Sequence, residues 1–352
     1  MKKAVVLLVC AVILMMNLSA CSSSGAADVH VFYYTYSDTY ISSVRSELDK
    51  QLKDAGINFQ DYDGNGNQTT QTEQIQTAIT NGAKAIIVNI VNTGSDDAAS
   101  SIVGLAKNAG IPVIFFNREV SDTVIKSYDK CAFVGTRAED SGILQGQMIG
   151  DYLVENFEKT DINGDGEISY ILFKGEEGNN EAIYRTSYSV SEANKKLSEA
   201  GKKPLKFYDR TNPNKYLVDK NGQWSATAAN EYMTTALASY SEKAGNMIEL
   251  VICNNDGMAE GAISALNASG YNNGSGRTIP VFGVDATDAA KELIANGKMT
   301  GTIKQDAQGM AEAIRKLTQN AVSGSAILSG MDGYDIDEDA AKIRIQYSQY
   351  LG

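Results

Sequence analysis

From about residue 29 onward the apolar positions follow two periods. Short runs rich in Val, Ile and Phe recur at HVFYYT, INFQDYD, AIIVNIV, IPVIFFN, ISYILFK, PLKFYD, IELVICN, TIPVFGVD and TGTIK, each with the length and composition of a buried strand. Between them lie longer stretches of helical period, among them residues 40–55, 70–81, 96–109 and 140–158. Strands alternating with helices in this way imply a parallel sheet covered on both faces. A second series of such units begins near Gly166, and 352 residues exceed one ordinary core. The expected fold class is therefore α/β, with two similar lobes, each a doubly wound, mostly parallel sheet, and a ligand cleft between them.

The first residues break this pattern. Residues 1–20 carry two lysines and then a continuous apolar run, which meets the small-residue sequence L-S-A-C at Cys21. This is the pattern of a lipoprotein signal peptide. Cys21 is expected to become the lipidated N-terminus, with residues 21–27 as a short tether, which places the protein outside the cytoplasm and anchors it to the cell membrane. Loss of Lys2 and Lys3 takes the formal charge from −12 to −14, an acidity that disfavours nucleic acid and anionic membrane surfaces as partners. Cys131 and Cys253 lie in apolar runs and read as buried thiols.

A single histidine, His30, narrows the chemistry. It sits in the first strand as a structural residue, so a multi-histidine metal site is excluded and Ser-His or Cys-His catalysis would have to be built on it. Oxygen chemistry remains. Residues 161–169, DINGDGEIS, place side-chain oxygens on Asp161, Asn163, Asp165, Glu167 and Ser169, with Gly166 at the turn, the spacing by which a loop wraps a hard cation such as Ca²⁺. The twelfth position is Leu172 and a strand comes after it, so this is not an EF-hand and a further carboxylate must come from elsewhere. The acidic runs at 61–67 and 335–339 lack the anchor or the glycine; they read as a strand-to-helix loop and a solvated acidic turn.

In doubly wound sheets ligands sit beyond the carboxyl ends of the strands. Those ends carry Asp38 and Tyr40; Asn89; Asn117 and Glu119; Asn179, Glu181 and Arg185; Trp224; Asn255; Asp285; and Gln305 with Asp306. Amides, carboxylates and an arginine beside aromatic faces suit a hydroxyl-rich ligand. Asp and Asn at such places also serve as helix caps.

The motifs SDTYISSVR, ILFKGE after the cation loop, IELVICNNDGMA, IPVFGVDA and TGTIKQDA make the chain, from about Val29 to Tyr347, resemble the galactose/glucose-binding proteins of bacterial ABC sugar uptake systems, within the wider ribose-like periplasmic binding proteins. The resemblance implies that Asp38, Tyr40, Asn89, Asn179, Glu181, Arg185, Trp224, Asn255, Asp285 and Gln305 fall on sugar-binding positions, with Tyr40 and Trp224 sandwiching the ring. It also implies structural calcium held by Asp161, Asn163, Asp165, the Glu167 carbonyl and Ser169, with Glu249 as the missing carboxylate. Four cleft positions depart from the family: Asn179 and Glu181 replace a histidine and an aspartate, Gln305 an asparagine and Tyr40 a phenylalanine. Ser169 replaces a glutamine in the cation loop, where a water-bridged contact is expected.

The function that the resemblance implies is capture of a monosaccharide, with glucose or galactose foremost, by a monomer that closes around it and delivers it to the membrane subunits of an ABC permease. Three crossings are expected near Ile111–Phe115, Lys304–Gln305 and Ile343–Gln346, giving a first lobe of residues 28–114 and 305–342 and a second of 115–304 and 343–352. A receptor feeding a membrane sensor, for another hexose or a pentose, is the alternative. A glycoside hydrolase using Asp38, Glu181 or Asp285 is disfavoured because hydroxyl recognition already accounts for these carboxylates.

Overall fold

A computed structural model describes residues 27–352. The leader at 1–20, the lipid site Cys21 and nearly all of the tether lie outside the described residues. The path opens with β1 (Val29–Tyr33), buried throughout, and α1 (Thr39–Asp54). Next come β2 (Phe59–Asp63), α2 (Gln68–Thr80), β3 (Ala85–Val88), α3 (Asp97–Ala109), β4 (Val113–Phe116), α4 (Asp122–Lys126) and β5 (Cys131–Gly135). These five strands are parallel neighbours in one sheet. Its two faces are filled from opposite sides, Val31 and Tyr33 packing toward α1, and Phe32, Ile86 and Phe115 toward α2 and α3.

The chain then builds a second sheet from α5 (Ala138–Thr160), β6 (Ser169–Lys174), α6 (Asn180–Glu199), β7 (Lys206–Phe207), β8 (Leu217–Val218), α7 (Ala226–Leu237), β9 (Leu250–Cys253), α8 (Asp256–Ala268), β10 (Val281–Asp285), α9 (Asp288–Ala295) and β11 (Gly301–Lys304). It returns with α10 (Ala307–Ser323), which packs in the same core as α1. β12 (Asp335–Asp337) and β13 (Lys342–Arg344) extend the first sheet, and β14 (Ser348–Tyr350) pairs antiparallel with β11 in the second. The sheet orders are β12-β13-β5-β4-β3-β1-β2 and β14-β11-β10-β9-β6-β7, with β8 beside β6. The chain therefore passes between the lobes at residues 136–137, 305–306 and 345–347.

Two expectations need correction. A lobe boundary at 114/115 would cut β4, which pairs with β3 on one side and β5 on the other. Residues 115–135 belong to the first lobe. β5 escaped the pattern because CAFVG dilutes its apolar signal with Ala and Gly and comes after a helix of only five residues. Ile343 and Arg344 likewise belong to the first sheet. The second correction concerns residues 335–339, which are not a free acidic turn: Asp335 and Asp337 form β12 and hold Arg137, while Arg344 takes Asp337 as well. Elsewhere His30 lies within hydrogen-bond distance of the Tyr62 hydroxyl and the Ala27 carbonyl, at 2.9 and 3.0 Å, and Cys131 and Cys253 are buried free thiols.

α5 and α6, which cover one face of the second sheet, meet along Gly142, Gly146 and Gly150. A Cβ on Gly146 would lie 2.5 Å from the Tyr188 carbonyl oxygen and 2.7 Å from the Glu192 Cβ. An alanine in an exposed helix normally stabilises by up to about 1 kcal/mol over glycine. Here the collision reverses the sign, because the obstacle is backbone of a packed neighbour. Gly146→Ala is expected to lower unfolding stability by about 2 kcal/mol in urea titrations; a gain would mean that the two helices separate without strain.

Candidate functional site

The C-terminal ends of both sheets face one narrow cleft with a cavity volume of about 40 Å³, lined from the first lobe by Tyr34, Asp38, Tyr40, Ile41, Asn117 and Arg118. The second lobe supplies Asn179, Glu181, Arg185, Trp224, Asn255 and Asp285, and Gln305 comes from a crossing.

Helix caps place several of these side chains. Asp38 Oδ1 accepts the Ile41 amide at 2.8 Å, Asn179 Oδ1 the Ala182 amide at 3.1 Å, and Asn255 Oδ1 the Met258 amide at 2.9 Å. One atom of each thus starts a helix, and the other is held at the cleft. Asp38 Oδ2 accepts from the Tyr34 hydroxyl at 2.6 Å, and the Asn255 amide donates to the Trp224 carbonyl at 3.3 Å. The Asn179 amide instead reaches Thr93 of the opposite lobe at 3.4 Å.

Backbone strain places others. Asn117, Trp224 and Asp285 have φ of 60°, 54° and 130°, values that L-residues adopt at a cost of roughly 1–3 kcal/mol each. The indole of Trp224 lies against Gly175, where any Cβ would sit 2.1 Å from a ring carbon. Glycine at 175 is therefore a condition of the aromatic wall.

The electrostatics are unbalanced. Arg185, 4% exposed, donates from Nε to Ser141 Oγ at 3.1 Å, from one terminal nitrogen to the Asn254 carbonyl at 2.8 Å, and from the other to the Tyr347 hydroxyl at 3.0 Å and Gln305 Oε1 at 3.4 Å. Burial pushes the Glu181 carboxyl up from 4.5 to about 7 against the pull of Arg185, and holds Asp285 well above the ordinary range. Glu181 Oε1 and Gln305 Nε2 are buried without a protein partner. An acceptor and a donor are thus presented to whatever enters.

Two residues with key contacts here, Arg118 and Glu176, were absent from the sequence-derived set. Arg118 binds Glu176 of the other lobe at 2.8 Å, donates to the Val91 carbonyl at 2.9 Å, and lies 4.3 Å over the Tyr34 ring. Glu176 in turn accepts from the Trp224 indole at 3.4 Å. The run NRE and the motif ILFKGE contain Arg118 and Glu176, but no local signal pairs residues from different lobes. Conversely, Asn89 is not a cleft residue. Its oxygen accepts the Tyr34 amide and its nitrogen donates to the Phe116 carbonyl and toward Asn117, so it braces the wall from behind.

The cation loop lies at the other end of β6. Asp161 accepts the amides of Gly164 and Gly166 at 2.8 Å each, Asn163 that of Asp165 and Asp165 that of Glu167, both at 2.9 Å. Glu249 closes it from 80 or more residues away, accepting the Ile162 and Ser169 amides at 2.8 Å each. The Glu167 carboxylate pairs with Lys206 and Lys203, and Ser169 Oγ lies 2.8 Å from the Met247 carbonyl. Among the described residues no three His, Cys, Asp or Glu side chains gather as a metal cluster. The loop offers instead a mixed set of carboxylate, amide and carbonyl oxygens, a set chemically suited to a hard cation.

Residues 29–326 match the model of the periplasmic binding protein domain. Over 316 residues, 89% of this chain and 87% of the relative, the sequence is 34% identical to the D-galactose/methyl-galactoside binding periplasmic protein MglB of Haemophilus influenzae. It is 28% identical over 259 residues, 72% of this chain and 68% of the other, to the D-apiose import binding protein of Paraburkholderia graminis. Among solved structures, an ABC transporter solute binding protein of Bacillus halodurans with bound myo-inositol superposes with a TM-score of 0.68 at 26% identity, covering 94% of this chain and 96% of that one. One of Clostridium phytofermentans with bound β-D-glucose has a TM-score of 0.71 at 24% identity over 92% and 93% of the two chains; it supports the fold.

Because the folded-state pKa of Glu181 is raised, its favourable contribution is complete below about 4.5 and is lost as pH rises through about 7. Glu181→Gln keeps the neutral shape and removes the charge. The variant is expected to match the parent at pH 5 in urea unfolding without ligand, and to exceed it at pH 8 by an amount on the order of 2 kcal/mol. Equal differences at both pH values would show that Glu181 titrates normally.

Proposed function

The chain belongs to the periplasmic binding protein family, as an extracytoplasmic sugar-binding component of ABC transport rather than an enzyme, and on that premise we propose that it captures D-galactose or D-glucose. The observation that carries this reading is the make-up of the cleft. Aromatic rings from opposite lobes, Tyr40 and Trp224, stand with Asp38, Glu181, Asp285 and Arg185 around one small space, with Glu181 Oε1 and Gln305 Nε2 lacking protein partners. Rings cover the C–H faces of a pyranose, while carboxylates accept and Arg185 donates at its rim. A hydrogen bond to a charged group contributes about 1.5–3 kcal/mol, so a few suffice for micromolar or tighter binding. The galactoside-binding relative at 34% identity supports the choice of hexose.

The protein acts as a monomer, both walls of its site coming from one chain. Closure around the sugar presents the lobes together to the membrane subunits of the permease, a population shift driven by contacts from both sides. Lipid on Cys21 keeps the receptor at the membrane. Calcium sits in the loop of Asp161, Asn163, Asp165, Glu167 and Ser169, closed by Glu249, and stiffens the second lobe without touching sugar.

Titration of the mature protein with D-galactose, D-glucose, D-xylose and D-ribose should give a saturable change in Trp224 fluorescence at micromolar galactose or glucose. Silence toward all four from folded protein would overturn the hexose reading. For the cation, calcium should raise the melting temperature of the parent over that in chelator, and Glu249→Gln should abolish the increment. A variant that keeps the increment would remove Glu249 from the ligand set.

A further inference from the structure

The three crossings meet at one side chain of the cleft. Thr136 is on the first, Gln305 on the second and Tyr347 on the third. All are buried. The Thr136 hydroxyl donates to the Tyr347 hydroxyl at 2.8 Å, and one terminal nitrogen of Arg185 donates to Tyr347 at 3.0 Å and to Gln305 at 3.4 Å. Two crossings thus touch the guanidinium directly, and the remaining one reaches it through the tyrosine hydroxyl.

The other contacts of Arg185 are of a different kind. Ser141, at the start of α5, and the Asn254 carbonyl, at the end of β9, belong to the same lobe as α6, which carries Arg185. They travel with it as a rigid body. Gln305 and Tyr347 lie in the segments whose dihedral angles change when the lobes rotate. A guanidinium has five N–H donors in one plane, and four contacts already bind it. The second lobe therefore holds Nε and one terminal nitrogen, and the hinge holds the other terminal nitrogen. A rotation of the lobes moves the hinge acceptors relative to those of the second lobe, and Arg185 itself lines the cleft.

Resting on the sugar-binding reading above, we infer that Tyr347 is a positioning residue for sugar recognition: its hydroxyl, backed by Thr136, aims Arg185 correctly only in the closed hinge geometry, so that ligand affinity senses hinge angle through this relay. Tyr347 is not itself among the residues lining the cleft.

The test is isothermal titration of the mature protein with D-galactose and D-glucose, with thermal melting in parallel. Tyr347→Phe keeps the ring and removes the relay; it should weaken the better sugar roughly tenfold, since the lost partner is a charged donor. Thr136→Val should weaken it about threefold and Thr136→Ser should restore parental affinity, because only the hydroxyl matters. The double variant Tyr347→Phe/Thr136→Val should bind no more weakly than Tyr347→Phe alone, as expected for two groups in one chain. Parental affinity in Tyr347→Phe, with or without a lower melting temperature, would reduce the tyrosine to a structural brace and overturn the inference. Losses that multiply in the double variant would overturn the relay. A parent that binds neither sugar would instead defeat the hexose reading, and this inference with it.

Discussion

The burial of Arg185 is the constraint on which the rest of the cleft depends. A guanidinium this far from water carries a desolvation penalty of several kcal/mol unless its donors are met, and Ser141, Asn254, Gln305 and Tyr347 meet four of them. All four acceptors are neutral groups. The compensating charge has to come from Glu181 and Asp285, which the same burial drives toward the protonated form. A ligand rich in hydroxyl donors resolves the conflict by stabilising the carboxylates in their ionised form beside the arginine. The site is therefore tuned to a neutral polyol, whose hydroxyls bring hydrogen bonds without an additional charge to desolvate.

Contacts between the lobes obey the same logic. Arg118 with Glu176, and Asn179 with Thr93, join residues on opposite sides of the cleft. When the lobes part and water enters, an ion pair of this type is worth little. In the structure Arg118 is 4% exposed, between the Tyr34 ring and Glu176, and losing its partner there would leave a buried charge unpaired. Contacts of this kind favour the arrangement of the lobes in which they are made. Near the hinge, Lys342 and Arg344 share Glu119, and Arg344 also joins Asp337 with Arg137. This network ties the first crossing to the strand that precedes the third.

Most of the fold is legible from the apolar runs, because strands buried on both faces must be nearly pure Val, Ile and Phe. Failures occur where that requirement is relaxed. β5 is diluted by small residues, β12 is an edge strand of Asp-Ile-Asp, and β13 and β14 have three residues each. In the cleft, residues at strand ends with caps or aromatic rings are readable one by one. Arg118 and Glu176 are not, since their significance is a pairing across 58 positions that only the closed arrangement of lobes creates. Asn89 has the opposite history: its position at a strand end looks like that of a ligand, yet its hydrogen bonds are consumed by Tyr34, Phe116 and Asn117.

The family departures acquire a physical meaning from this geometry. At position 179 the asparagine oxygen accepts at the helix cap and its nitrogen reaches Thr93 of the other lobe, while the residue also lines the cleft. The next recognition group on that helix, Glu181, is one methylene longer than the family's aspartate and retains an unpartnered buried oxygen. At the opposite wall Gln305, also longer than the family's asparagine, retains an unpartnered nitrogen while its oxygen supports Arg185. Both longer side chains line the cleft together with Tyr40 and Trp224, and the placement of Trp224 is held by Gly175 and a left-handed backbone at 224. On the proposed reading, discrimination among sugars falls on the polar groups of the cleft, Glu181 and Gln305 among them, because contact with C–H faces alone does not tell one pyranose epimer from another.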